Sequence, residues 1–223
     1  NTFTAIQPAH FKIDDDWRRR KGEYNPIKSW AIGQVIASQL ILDSFADPKL
    51  GRDGIFPELV LFDCHACHRQ ISEKRGTPRW EIGPGRLHLN DGHFLMLRAI
   101  LKVEAPRELA EFNQQISKLQ IAISSDYGSD VTAPDVMAKD IARSLDRYIS
   151  IINRQPIDNK QLRGIFLAMV EESSRGQFAD PIAAEQAYMS ISNLAAQLYK
   201  LGALKSERKI NGLLAEMRKN LSN

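Results

Sequence analysis

The sequence predicts an all-α protein, and three observations predict it. Apolar residues recur at three- and four-residue steps through most of the 223 positions. Several of these runs open on an Asn or Asp followed by proline, the chemistry of a helix start. Alternating apolar and polar runs closed by turn dipeptides, the mark of strands, are essentially absent. With 43% hydrophobic and 26% charged residues the chain can bury a core, which excludes disordered, collagen-like and disulfide-scaffold classes. A formal charge of +3 is too small to argue for nucleic-acid binding, and no apolar run is long enough to span a membrane.

The elements follow in order. An N-terminal helix is expected around Trp17, where Asp14-Asp15-Asp16 and Arg18-Arg19-Arg20-Lys21 read as a solvated face and Trp17 as a packing aromatic. Asn25-Pro26 opens an amphipathic helix through Ile27, Trp30, Ala31, Val35, Ser38, Ile41 and Phe45, ending near Asp47-Pro48. After the loop Gly51-Arg52-Asp53-Gly54, Pro57 is expected to open a short helix reaching the two cysteines. Residues 69–86 carry five Arg or Lys against two Glu, with several Gly and Pro, and read as a basic loop. Asn90-Asp91 caps a helix through Phe94, Leu95, Leu97, Ile100 and Leu101. Helical spacing then runs from Pro106 to about Ile123, Pro134 to about Asn153, Asp158 to about Ser173, Asp180 to about Leu201 and Ser206 to about Leu221. Short connections point to antiparallel neighbours. Residues 1–103 hold the chemistry and 104–223 read as a helical bundle, with a junction at Glu104-Ala105-Pro106; one continuous domain is the alternative.

The chemistry rests on the only two cysteines, Cys64 and Cys67, in Cys64-His65-Ala66-Cys67-His68. This C-x-x-C-H pattern is the signature of covalent c-type haem attachment. Two cysteines one helical turn apart present both sulfurs to the vinyl groups of one porphyrin, and the next residue, His68, then lies under the iron as proximal ligand. A thioredoxin-like pair would require a preceding strand in a βαβ unit, which is lacking. A zinc site would draw on Cys64 and Cys67 with one or two of His65, His68, His88 and His93, and a plain thiol pair is the remaining reading. One covalent haem c is preferred over all three. It implies export to the periplasm or an equivalent space, in keeping with an N-terminus, Asn-Thr-Phe-Thr-Ala, that has no signal-peptide character.

His10, His93, His88 and Met96 compete for the opposite face of the haem, or that face is open; His65, inside the attachment turn, points away from the iron. His10 is the preferred ligand. A second histidine gives a low-potential electron carrier, methionine raises the potential, and an open position permits peroxide or gas chemistry. Arg79 and Arg86 are placed to neutralise the haem propionates and Trp80 to pack on the porphyrin. The basic loop alternatively docks an acidic redox partner.

Trp30-Ala31-Ile32-Gly33-Gln34, Phe62-Asp63-Cys64-His65-Ala66-Cys67-His68, Trp80 and Pro84-Gly85-Arg86-Leu87 together resemble the C-terminal haem module of bacterial multihaem c-type cytochromes. The resemblance covers about residues 10–103. It implies a helical, exported protein of respiratory electron transfer, with other cytochromes among its partners, and it favours His10, which lies upstream of the tryptophan helix within the shared stretch. The chain departs from that family in carrying one haem motif instead of several. The function expected is a monohaem c-type cytochrome carrying single electrons in the cell envelope. The alternatives are a haem enzyme or gas-binding module with an open sixth site, and a zinc-binding interaction protein.

Overall fold

A computed structural model describes residues 14–22, 24–53, 56–63, 80, 82, 85–126, 132–154, 157–178, 180–204, 212 and 215. The fold is all-α. Its helices are α1 (Asp15–Lys21), α2 (Pro26–Ala46), α3 (Gly92–Glu104), α4 (Leu109–Asp126), α5 (Thr132–Ser144), α6 (Asp146–Arg154), α7 (Asn159–Ser174) and α8 (Pro181–Lys200).

Helix ends follow local side-chain chemistry. Asn25 and Asp180 cap α2 and α8, accepting from the backbone N–H of Lys28 at 2.9 Å and of Ala183 at 2.7 Å, each with proline in the first turn. Asp158 and Gln161 form a reciprocal capping box at the start of α7. In α1, Asp14 caps Trp17 at 2.8 Å, and the charge runs pair along one exposed face: Arg18 with Asp15, Arg19 and Arg20 with Asp16. Such exposed pairs contribute about 0–1 kcal/mol each. No residue of α1 is buried, so Trp17 is not a core aromatic; it is half-buried and meets Tyr24 edge-on at 5.9 Å.

Helix α3 is the centre of the molecule. Phe94, Leu95, Met96, Leu97, Ala99, Ile100 and Leu101 are all buried, and a helix apolar nearly all round must be enclosed. It packs on α2, α4, α7 and α8, while α2 also packs on α5 and α6. One continuous set of buried apolar side chains runs from Ile27 to Leu198, across the Glu104–Pro106 junction. Each fully buried Leu, Ile or Phe contributes about 1.5–3 kcal/mol of transfer free energy.

Three expectations change. No helix opens at Pro57: it pairs with Arg52 in a two-residue antiparallel ladder of β1 (Arg52–Asp53) and β2 (Phe56–Pro57). A 3-10 turn at Leu59–Leu61 follows, and the chain is extended at Phe62. The ladder forms because α2 ends in a tight return at Gly51, where a Cβ would lie 2.3 Å from the Phe45 carbonyl oxygen. The segment beginning near Pro134 is two helices, interrupted at Leu145, which is fully buried and whose N–H is shared between Ile141 and Ala142 carbonyls. Helix α4 starts at Leu109, after a turn from Pro106. The segment expected from Ser206 to Leu221 lies outside the described residues, Gly212 and Ala215 excepted.

Candidate functional site

Cys64, His65, Cys67, His68 and Arg79 lie in residues 64–79, outside the described residues, as does His10. What the structure defines is the set of residues on either side of that segment.

The entry is an antiparallel contact. Phe62 bridges Leu89, the Asp63 N–H donates to the His88 carbonyl at 3.1 Å, and the Asn90 N–H donates to the Leu61 carbonyl at 2.9 Å. Phe62 is buried edge-on against Phe45, ring centroids 6.1 Å apart. The residue immediately before Cys64 is therefore pinned at backbone level. Its carboxylate is also buried, 3.4 Å from His88 Nε2.

The exit is Trp80. It is buried at φ 53°, a left-handed conformation that costs a bulky residue about 1–3 kcal/mol. Four contacts offset that cost. The indole N–H donates to Asp91 Oδ2 at 2.7 Å, and the Arg98 guanidinium lies 5.0 Å over the ring. The Ser117 hydroxyl donates to the Trp80 carbonyl at 3.0 Å, and Phe112 meets the ring edge-on at 6.4 Å. Phe112 in turn meets Tyr148 at 6.1 Å, which ties the exit into α4 and α6.

Between entry and exit, residues 87–91 form the floor. The fully buried Gln120 of α4 bonds both backbone groups of Leu89: its Oε1 accepts from Leu89 N–H at 2.8 Å and its Nε2 donates to the Leu89 carbonyl at 3.1 Å. A strand with one edge on residues 61–63 needs its other edge satisfied, and this amide does so. Helix α4 thus holds both anchors of the loop, through Gln120, Ser117 and Phe112.

The described candidate ligands differ in surroundings. Met96 is sealed in the core at 0% exposure. His88 is buried, with Nδ1 3.3 Å from the Arg86 carbonyl oxygen and Nε2 facing Asp63 without a hydrogen bond. His93, in the first turn of α3, is half-buried, and its Nδ1 lies 2.8 Å from Gln34 Oε1. Burial lowers its pKa from 6.5 to about 4, so the ring is neutral at pH 7 and donates from Nδ1 to the amide oxygen. Gln34 is fully buried on α2, and its Nε2 has no hydrogen-bond partner. Arg86 is exposed beside the floor.

Asp63, Asp91, Arg98, Gln120 and Gln34 were not readable as site residues. Asp91 carries a visible signal, as a helix cap, but its side chain makes no cap bond and turns to Trp80 instead. Arg98 also borders a cleft of about 440 Å³ with Lys102, Asn113, Glu172, Arg175 and Gln177. Its cations are paired: Arg98 with Glu172, and Lys102 and Arg175 with Glu171. Among the described residues no group of three or more His, Cys, Asp or Glu is arranged to hold a metal ion, and no helix is long and apolar enough to cross a membrane. Comparison with protein-family models, curated proteins and solved structures gives no match.

Proposed function

We propose that the chain is a monohaem c-type cytochrome that passes single electrons in the bacterial cell envelope, of the kind found as the C-terminal haem module of multihaem cytochromes. The observation that carries this reading is Cys64-His65-Ala66-Cys67-His68, which uses both cysteines of the chain. Cys64 and Cys67 form the thioethers and His68 is the proximal ligand. The bound haem supplies a reversible one-electron couple, and every other task falls to the chain.

The base of the loop supports the reading. The motif begins one residue beyond a buried, doubly bonded strand contact, and the next described residue after it is Trp80, a buried tryptophan with four partners. His10 is the preferred second axial ligand; of its alternatives, His93 offers a neutral imidazole with Nδ1 hydrogen-bonded to Gln34. Arg79 and Arg86 neutralise the propionates, and Trp80 packs on the porphyrin. Acidic redox proteins are the partners that the basic loop suits.

Absorption spectra of the chain matured in an exporting host test this, with haem content measured after pyridine extraction of the denatured protein. A Soret band that stays with the polypeptide through denaturation is expected, lost in Cys64→Ala/Cys67→Ala. A chain without covalent haem after such maturation overturns the proposal. A reduced spectrum altered by carbon monoxide replaces the carrier with a haem enzyme or gas-binding module.

A further inference from the structure

We propose that the cleft between α3, α4 and the end of α7 binds a small hydroxylated carboxylic acid, with Arg98 and Lys102 taking the carboxylate and Asn113 a hydroxyl. The assignment uses no residue of the cytochrome motif, so it and the haem reading stand or fall separately.

Two helical stripes and a helix end build the cleft. Arg98 and Lys102 stand one turn apart on α3, and Leu109 and Asn113 stand one turn apart on α4. Glu172 closes it from α7, with Arg175 and Gln177 from the turn that follows. Its volume of about 440 Å³ is that of a small-molecule site, for which about 300–1,000 Å³ is usual.

The charges leave a surplus of one sign. Like charges one turn apart on a helix repel, yet α3 carries Arg98 and Lys102 at that spacing and Arg175 joins them. Against these three cations stand two carboxylates: Glu172 pairs with Arg98, and Glu171 pairs with both Lys102 and Arg175. Three less two leaves one positive charge, which matches a monoanion. The Glu171 pairs are open to solvent, and exposed pairs are weak enough for a ligand carboxylate to compete for Lys102. A dianion such as phosphate would meet Glu171 and Glu172 without the cation needed to offset them.

Hydrogen-bonding capacity is left over as well. The Arg98 guanidinium is held from one side by the Trp80 ring at 5.0 Å, and its Nη2 donates to both Glu172 and Gln177, the latter at 3.0 Å. Its Nε is buried with no hydrogen-bond partner among the described residues, and so is Asn113 Oδ1 on α4. A buried donor or acceptor in that state costs about 1–3 kcal/mol. The cost is recovered when the two side chains turn to a ligand whose carboxylate accepts from the guanidinium and whose hydroxyl donates to the amide oxygen. A plain carboxylate offers acceptors alone and does nothing for Asn113 Oδ1. A neutral polyol has the hydroxyl and no charge to set against the surplus. A hydroxy acid meets both needs, and Leu109 gives the wall an apolar surface for its C–H groups.

Calorimetric titration of the full chain at fixed ionic strength tests the site, with D-gluconate as the probe and sorbitol, hexanoate and inorganic phosphate as controls. D-gluconate is expected to bind one per chain, and each control about tenfold more weakly or less. Sorbitol lacks the carboxylate, hexanoate the hydroxyls and phosphate the single charge. Lys102→Gln and Asn113→Ala are each expected to weaken D-gluconate about tenfold, and Asn113→Ala should leave hexanoate unchanged. Arg98 is left in place, because its loss would strip Glu172 and Trp80 of a partner; unfolding midpoints without ligand check that both variants stay folded. Absence of saturable D-gluconate binding overturns the proposal, as does any control that binds as tightly. An affinity for D-gluconate unmoved in either folded variant overturns it too.

Discussion

Asp91 and Asp180 both stand immediately before a helix, and their carboxylates do different things. At α8, Asp180 turns back on its own helix and accepts from the Ala183 N–H at 2.7 Å, as Asp158 does for α7. At α3, Asp91 makes no cap bond; Asn90 Oδ1 accepts from the Gly92 N–H at 3.2 Å, and Asp91 reaches the Trp80 indole. The bundle end is built from neighbours in sequence. The loop base is built from residues brought together across the fold: Trp80, Asp91, Arg98, Phe112 and Ser117 at the exit, Phe62, Leu89 and Gln120 at the floor. The difference teaches that the start of α3 is organised around holding Trp80, with the ordinary stabilisation of a helix end partly given up.

Four substitutions break or sharpen that contrast. The largest effect is expected for Trp80→Ala, which empties a buried site facing Arg98 and Phe112; a loss of about 3–5 kcal/mol by urea unfolding is expected. A loss no greater than that of an exposed substitution would show that the exit anchor is not integral to the fold. Asp91→Ala comes next, at about 1–3 kcal/mol, because it leaves a buried indole N–H without an acceptor. Asp91→Asn, which keeps an acceptor oxygen, should recover most of that. Asp180→Ala should cost about 1 kcal/mol, the ordinary value of an N-cap. If unfolding midpoints rank Asp180→Ala above Asp91→Ala, the contrast between the two helix starts is wrong.

The smallest effect concerns pH. Glu104, the last residue of α3, accepts from Gln161 Nε2 on Oε2 at 3.1 Å, while its Oε1 is buried without a partner. Burial, reinforced by Asp158, raises its pKa from 4.5. The folded chain therefore binds that proton more tightly than the unfolded chain. Its contribution is complete below pH 4.5 and is lost as pH rises through the folded value. Glu104→Gln should raise Tm at pH 7, with the gain fading toward pH 4. An equal gain at both pH values would show that ionisation of Glu104 is not the cause.

Much of the helical framework was legible in the chain. Asn25-Pro26 and Asp180-Pro181 mark helix starts because the cap and its acceptor N–H lie three residues apart, and the apolar spacing of α7 and α8 marks their buried faces. Pro57 misled because a proline in a first helical turn and one at the end of a short ladder look alike locally. Leu145 gave no warning of a break, since an apolar residue at helical spacing is compatible with continuity. Trp17 read as a packing aromatic, and it packs only locally, on Tyr24, because its helix carries too many charges to leave the surface.

By itself the sequence determined the helical class and the principal helix ends, because each depends on residues within a few positions of one another; the haem proposal rests likewise on the local pattern of Cys64, Cys67 and His68. Only the tertiary structure decided that Asp91 serves Trp80, that Gln120 completes the edge of Leu89 and that Gln34 faces His93. Gln34 and His93 are 59 positions apart. No local periodicity encodes such a pair; the packing of α2 on α3 brings it together, and burial then makes every polar atom in it matter.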